Sequence, residues 1–375
     1  MDSKKEIVFI VNPISGTHSK EFILHQIEKR LDHSLYNYTI RKTEYAGHAI
    51  EIARQAAEEK KDIVVAIGGD GTINEIGRSL IHTDTAMGII PCGSGNGLAR
   101  HLHIPLEARG AIDVLNQGYI KTIDYGTIDS RPFFCTCGVG FDAFVSLKFA
   151  DSGKRGLLTY LENTLHESLT YRPETYEIEN SSGTVRYKAF LIACANASQY
   201  GNNAYIAPQA SLTDGMMDIT ILEPFTVLDV PALSFQLFNK TIDQNSRIKT
   251  LKEKKITIGF ICHDIALVQS VAHQVAVMYL GNLVEEILGH ELNTKAVHPY
   301  TKALMGSAFD IHMDFSRPIE SIESEAPSPL DLPKGCPFQD RCEYCMDICK
   351  KETPHMIQVA PGHSAACHLL KPTVR

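Results

Sequence analysis

The run from Asp62 to Glu75 reads DIVVAIGGDGTINE, and it limits the possible folds more than any other stretch of the chain. An apolar strand delivers two glycines, an acid, a third glycine and a threonine, and a helical pattern begins at once near Thr72. Glycines at a strand exit let backbone N–H groups approach a ligand closely, because no Cβ stands in the way. The helix that follows points its partly positive N-terminus at the same spot. Asp70 cannot attract a phosphate by charge, so its chemistry there is to hold Mg²⁺ or to take a proton from an attacking hydroxyl. The run therefore reads as a phosphoryl-transfer turn. Taken alone, it also fits a tight strand-to-helix turn with a surface acid.

Two further turns of the same kind extend the reading. Ile7 to Val11 is an apolar strand that runs into Asn12-Pro13-Ile14-Ser15-Gly16, and Gly88 to Pro91 leads into Cys92-Gly93-Ser94-Gly95-Asn96-Gly97. Strands are expected near Ile7, Tyr36, Ile63 and Met87, with helices near Phe22, Ile50, Asn74 and Ala111. That alternation predicts an α/β fold with a parallel sheet, its three glycine turns gathered on one edge, where ligands bind in open sheets. From Lys121 the pattern changes to short β-branched and aromatic runs. Ser181-Ser182-Gly183 makes a hairpin turn between Tyr176–Ile178 and Val185–Tyr187, and a helical insert is expected over Phe149 to Leu169. This second region reads as an antiparallel β-sandwich.

The ordered motifs NPxSG, GGDGTxNE and PxGSGNxLA resemble the diacylglycerol kinase catalytic domain, shared by bacterial lipid kinases and sphingosine kinases. NAD kinases also carry GGDGT, but the other two elements follow the lipid-kinase arrangement. The resemblance continues through Gly138–Asp142, Tyr200-Gly201, Ile206–Pro208 and Leu212–Asp218, and covers about residues 1–258. It implies ATP and Mg²⁺ as cofactors and a lipid hydroxyl as acceptor. Asn12, Thr43, Gly68, Gly69, Asp70, Gly71, Thr72, Asn74 and Ser94 would contact the nucleotide, with Asp70 as the catalytic acid. Asp214 would bind a structural Mg²⁺ with main-chain help from Ser211 and Met216, and Asp124 would join the polar network beside the nucleotide. Many bacterial members carry an acid after the GSGN asparagine, whereas Gly97 follows Asn96 here, nearer the sphingosine-kinase form. The acceptor thus stays open among diacylglycerol, a sphingoid base and another lipid alcohol. The family's Asp-Gly-Glu element, whose glutamate serves as catalytic carboxylate, is missing: the only Asp-Gly pairs are Asp70-Gly71 and Asp214-Gly215. The resemblance therefore implies a kinase impaired in its chemical step.

Past Ile258 the motifs change. Phe260-Ile-Cys-His263-Asp264, the strand Gln274–Tyr279, His298-Pro-Tyr-Thr and Gly335-Cys336-Pro resemble the C-terminal end of an oligopeptide/dipeptide ABC-transporter ATPase, from its switch histidine onward. His263 matches that histidine, yet the chain holds no G-x-x-x-x-G-K-[ST] loop and no LSGGQ signature, so no ATP hydrolysis is expected of this segment. Cys336, Cys342, Cys349 and Cys367 match cysteines that can hold a [4Fe–4S] cluster in that family, and Cys345 is extra. Zinc, with His363 or His368 as a further ligand, and a set of reduced thiols are the competing readings. The expected domains are residues 1–120, the α/β nucleotide-binding domain; 121–258, a truncated β-rich domain; 259–315, an α+β fragment of the ABC ATPase; 316–335, a Pro/Ser/Glu-rich linker; and 336–375, the cysteine tail.

A net charge of −8 argues against nucleic-acid partners, and no run approaches the ~18–20 apolar residues of a membrane span. The start lacks the apolar stretch of a signal peptide, and ten cysteines in an unexported chain imply reduced thiols. The expectation is a cytoplasmic protein that meets its lipid acceptor at the membrane surface, as a peripheral enzyme. Two alternatives remain. One is a nucleotide-binding interaction protein whose C-terminal piece docks on peptide-permease components, and the other is a non-functional fusion of two truncated genes.

Overall fold

The computed structural model describes residues 4–16, 19–141, 171–262, 265–306 and 333–370. The expected helix over Phe149–Leu169, His263 and most of the linker lie outside them. The chain divides into two compact units, Met1–Ile261 and Cys262–Arg375.

The first unit opens with strands β1 (Lys5–Val11), β2 (Tyr36–Lys42), β3 (Ile63–Gly68) and β4 (Ala86–Pro91), in the order β2-β1-β3-β4 and all parallel. Strands covered on both faces read as continuous apolar runs, and β3 is buried along its whole length. Val8 and Ile10 of β1 pack under helices α2 (His48–Glu58) and α3 (Asp70–Leu80), beside Ile52, Ala53, Ile73 and Ile76. Ile7, Phe9 and Val11 face the other way, onto Ile23 and Ile27 of α1 (Lys20–Arg30) and Ile112 of α5 (Ala108–Gln117). Between them in sequence lies the short α4 (Gly97–His101). Caps mark the helix ends: Ser19 accepts from the Phe22 N–H at α1, and Gly118 closes α5 in the left-handed conformation at φ 66°. Helix α3 begins at Asp70, two residues before the sequence pattern places it, because the Ile73 N–H already bonds the Gly69 carbonyl.

A hairpin of β5 (Gly126–Ile128) and β6 (Arg131–Phe133) precedes β7 (Thr136–Gly140). Strand β7 joins β10 (Leu191–Ala195), β11 (Met217–Leu222) and β12 (Ile248–Glu253) in an antiparallel sheet ordered β12-β11-β10-β7. The hairpin expected around Ser181–Gly183 forms as β8 (Glu174–Asn180) and β9 (Gly183–Ala189), and β13 (Thr257–Phe260) pairs with β8. Tyr176 and Ile178 of that sheet pack on Ile192, Ile219 and Ile221 of the first, so the two sheets share a core. The opposite face of β10 is covered by Leu233 of helix α6 (Val230–Phe238) and by Ile242.

In the second unit, α7 (Ile265–Val271) leads to β14 (Gln274–Tyr279) and β15 (Asn282–Leu288). Leu280 and Gly281, both at positive φ, make the two-residue turn between these strands. Short helices α8 (Leu292–Lys295) and α9 (Pro299–Gly306) follow, and β16 (Ile357–Ala360) and β17 (His363–Ala365) complete a sheet ordered β14-β15-β17-β16. Its core gathers Val277, Ile287, Leu292 and Phe338 with Cys336 and Cys349.

Candidate nucleotide site

The strand order places β1 beside β3, with the chain leaving to β2 on one side and to β4 on the other. Such a reversal opens a crevice at the carboxyl ends of the central strands. Asn12 leaves β1 and Gly69 leaves β3 at that crevice, and Asn12 Nδ2 donates to Thr72 Oγ1 at 3.0 Å. Thr43 prolongs β2 along the same edge, its N–H bonded to the Val11 carbonyl at 2.9 Å. The glycine turns press directly on one another. A Cβ on Gly16, which sits at φ +59°, would stand 1.6 Å from the Cys92 carbonyl oxygen, and one on Gly93 would stand 2.5 Å from Gly69 Cα. Gly71 differs: a Cβ there meets nothing within 4 Å, and the residue is exposed. Gly69 thus serves loop-to-loop approach, Gly68 makes room for Thr72 of its own turn, and Gly71 faces open space. Ser94 is exposed in the facing turn, and the Asn74 side-chain oxygen is buried with no hydrogen-bond partner among the described residues. A buried acceptor without a donor fits a ligand, an ion or a water that completes it.

Asp70 joins two of the turns. Its Oδ1 accepts the Leu98 N–H at 3.4 Å, and its Oδ2 lies against Gly95, where a Cβ would stand 3.1 Å away. Burial raises its pKa above the ordinary carboxylate value, while the N–H groups of Leu98, Gly97 and Asn96 pull it back down. Cys135 packs against Gly97, and burial pushes its thiol up to about 12, with the neighbouring Asp70 charge adding to the rise. A half-buried carboxylate held by backbone donors can bind a cation or receive a proton, and a single carboxylate of this kind would hold Mg²⁺ only together with nucleotide phosphate oxygens.

The Asp214 loop is arranged differently. Asp214 Oδ1 accepts the Met216 N–H at 3.0 Å, and Oδ2 pairs with Lys252 Nζ at 2.8 Å. Lys252 also stands 3.5 Å from Asp218, and Ser211 Oγ engages Thr213. The lysine occupies the carboxylate face to which the resemblance assigns a structural Mg²⁺, so the residues there do not fit that ion as they stand. Asp124 serves the same loop: its Oδ2 accepts the Gly215 N–H at 2.7 Å and its N–H bonds the Leu212 carbonyl.

Sequence reasoning gave no role to the strip from Ser198 to Asn203, which locks the GSGN turn. The Asn202 N–H bonds the Gly95 carbonyl at 3.0 Å, and a Cβ on Gly201, at φ +120°, would stand 2.7 Å from Gly95. Arg100 ties the two together, with Nε on the Gly95 carbonyl and a guanidinium nitrogen on Asn203 Oδ1, both at 3.0 Å. His101 Nδ1 accepts the Ser198 N–H at 3.0 Å, and burial lowers the pKa of its ring. The quoted Tyr200-Gly201 pair was the available signal, but its partner lies about a hundred residues upstream.

In the second unit Cys336, Cys342, Cys349 and Cys367 all line one small cavity, with His298 and His368 at its wall. Burial pushes the Cys336 thiol up to about 11 and raises Cys342, Cys345 and Cys367 as well. Neutral thiols are poor metal ligands. Among the described residues no three His, Cys, Asp or Glu side chains stand close enough to hold an ion. The [4Fe–4S] and zinc assignments therefore do not fit the cysteines as they are arranged. Beside the cavity the fully buried Glu285 accepts His363 Nε2 at 2.7 Å and the N–H groups of Val297 and His298 at 2.7 and 3.1 Å.

Residues 6–128 match the family model of the diacylglycerol kinase catalytic domain, and residues 135–271 that of the YegS C-terminal NAD kinase beta sandwich-like domain. Residues 284–349 match the oligopeptide/dipeptide transporter C-terminal region. A diacylglycerol kinase of Bacillus subtilis is 31% identical over 224 residues, which cover 58% of this chain and 74% of that one. A putative diacylglycerol kinase from Bacillus anthracis superposes with a TM-score of 0.56 at 22% identity, over 68% of this chain and 86% of that one. A dipeptide transport ATP-binding protein of Caldanaerobacter subterraneus is 39% identical over 154 residues, 40% of this chain and 46% of that protein. The chain spans less than half the length of the transporter relatives it matches.

Proposed function

Because this chain belongs, through its first unit, to the diacylglycerol kinase family, we propose that it binds Mg–ATP at the crevice between β1 and β3 and transfers the γ-phosphate to a lipid hydroxyl. The observation that carries this reading is the junction of three glycine turns around Asp70, with open space at Gly71. Backbone N–H groups of the Gly69–Thr72 turn would orient the phosphates, aided by the N-terminus of α3. Asn12 fixes Thr72 in that turn, and Thr43, Asn74 and Ser94 would contact the nucleotide from the surrounding edge. Mg²⁺ at Asp70 would supply charge neutralisation on the transferring group. With no Mg²⁺ on it, Asp70, whose carboxyl burial holds above the ordinary value, would instead be the group that takes the acceptor hydroxyl's proton.

No Asp-Gly-Glu element follows the β-rich region, so the carboxylate expected from the resemblance to take that proton is missing. A positioned general base contributes ~10²–10⁴-fold in rate, and turnover should be reduced on that scale. The test is a radiolabelled-ATP assay with diacylglycerol and sphingoid acceptors, run beside a chimera whose residues after Ile258 come from a complete lipid kinase. Equal turnover in the two would return the whole proton-transfer role to Asp70. No transfer to any lipid by either protein would remove the kinase reading.

A second reading applies to Cys262–Arg375, which forms its own compact unit and matches peptide-transport relatives. That unit would supply a docking surface for permease subunits, which a pull-down against purified subunits tests. Among its described residues no three His, Cys, Asp or Glu side chains stand close enough to hold an ion, and elemental analysis of anaerobically purified protein is expected to find no iron. About four irons per chain would reinstate the cluster.

A further inference from the structure

The antiparallel sheet of the first unit sets two cysteines directly opposite one another. In the ladder between β7 and β10, Cys137 is the register partner of Cys194, and neither is in a disulfide. The Phe141 N–H bonds the Phe190 carbonyl, and the Asn196 N–H bonds the Cys135 carbonyl, both at 2.9 Å. Hydrogen-bonded pairs recur at every second residue of such a ladder, so Cys137 and Cys194 form one of them. Both side chains lie on the face that packs against Tyr176 and Ile178 of the neighbouring sheet, and Val139 and Ile192 are the next pair on that face. Packing there asks only for apolar side chains like those two. A pair of thiols adds a chemistry that packing does not need.

The ladder geometry says which chemistry. Cα atoms of a hydrogen-bonded antiparallel pair stand about 5.5 Å apart, inside the span of about 4.4–6.8 Å that a disulfide bridges. Their Cβ atoms, up to about 5.5 Å apart, must close to about 3.8 Å. A bridge can therefore form without a change of register, and it forms under strain, which leaves it easy to reduce. Exposure sets the order of events, because Cys137 is half-buried whereas Cys194 is only 5% exposed. Cys135, two residues before Cys137, is otherwise engaged: its Sγ donates to the Gln199 carbonyl at 3.1 Å, and burial pushes its thiol up to about 12.

We propose that Cys137 and Cys194 are a redox-responsive pair, closed into a cross-strand disulfide by hydrogen peroxide and reopened by a small thiol. The Cys137 thiolate attacks one peroxide oxygen, the O–O bond breaks, and the departing hydroxide takes a proton and leaves as water. Cys137 is then a sulfenic acid. The Cys194 thiolate attacks its sulfur, the S–S bond forms, the S–O bond breaks, and a second water leaves. Two thiols have lost two electrons and two protons, and one peroxide has become two waters. Two molecules of reduced glutathione reverse this through a mixed disulfide and depart as one oxidised glutathione. Strand β10 runs on from Cys194 to the Ser198–Asn203 strip, so the bridge fastens the sheet next to the segment that locks the GSGN turn. The pair needs no nucleotide or lipid, so its test is independent of phosphoryl transfer.

The full chain is treated with hydrogen peroxide, remaining thiols are alkylated, and the protein is digested without reduction for mass spectrometry. The expected product is a Cys137–Cys194 link, with fragmentation assigning it to Cys137 rather than Cys135. Millimolar reduced glutathione should return both thiols. Cys137→Ser should lose the link, and Cys194→Ala should lose it while keeping a sulfenic acid on Cys137 that dimedone traps. The wild-type map decides the matter if either variant fails to fold. Bridges confined to the cysteines of the second unit, over-oxidation of Cys137 without a link, or a link that glutathione leaves intact would each overturn the proposal.

Discussion

The glycine-turn crevice of the first unit and the cysteine cavity of the second are both assembled from distant segments, but from different materials. The crevice is made of backbone. Its turns meet because Gly16, Gly69, Gly93 and Gly201 lack a Cβ, and its donors are main-chain N–H groups that cannot be titrated away. The cavity is made of side chains. Burial raises the thiols of Cys336 and Cys367, and the neighbouring Glu285 is stitched by His363. A backbone site is ready for an anion as soon as the loops fold. A thiol site binds a metal only if protons leave first. The lesson is that a set of ligand residues, gathered in one place, is not yet a binding site.

The largest effect that would break this contrast concerns Asp70. Asp70→Asn should reduce lipid phosphorylation by a further ~10²-fold or more, read as radiolabelled product. Thermal stability should hold or rise, because the variant buries no charge. In pH terms the native carboxyl has a folded pKa above its unfolded value. Its ionisation therefore costs stability as pH rises through the folded value, and that cost is absent at pH below 3.8. A variant that loses both activity and stability would mean that Asp70 is chiefly a structural tie.

Next in size are two glycines that should separate. Gly93→Val places its side chain on Gly69, so it should lower both Mg–ADP affinity and stability, the latter by about 1–3 kcal/mol. Gly71→Ala meets open space, so calorimetric affinity should fall while the melting temperature stays put. Identical behaviour of the two would remove the division between loop packing and phosphate cradle.

Acid should then act on the second unit through His298, which is 1% exposed and whose pKa burial lowers from 6.5 to about 4. The unfolded chain binds this proton more readily, so stability is intact above pH 6.5 and declines as pH falls toward 4, by up to about 3 kcal/mol. Hydrogen exchange should show the Cys336–Cys367 region opening first over that window, while Asp70 gives the first unit no such loss. A pH-independent second unit would place His298 in contact with water.

The smallest effect tests the lysine at Asp214. Both side chains are about a third exposed or more, so Lys252→Met should cost no more than about 1 kcal/mol. Mg²⁺ should raise the melting temperature of that variant but not of wild type. An equal rise in both would restore the cation to Asp214.

Much of the first unit was legible before any coordinates. Period and burial agree because β1 and β3 are covered on both faces, which forces continuous apolar runs, and the Ser181–Gly183 turn was marked by its residue types. The Asp214 loop was not legible, since Lys252 reaches it from a position 38 residues further along the chain, on a strand whose sequence reads only as a basic run. The same holds for Arg100, whose two partners lie five and a hundred and three residues off.

What the sequence alone determined is local: strands, glycine turns, helix starts, and the convergence of three turns that a parallel β–α alternation imposes. Tertiary structure alone decided which glycine faces a neighbouring loop and which faces open space, that Asp70 rests on the Leu98 N–H, and that four thiols share a cavity without forming a metal site. The reason is physical. Backbone geometry repeats over a few residues and so leaves a period in the chain, whereas a side chain's partner and pKa depend on whichever distant segment excludes water from it.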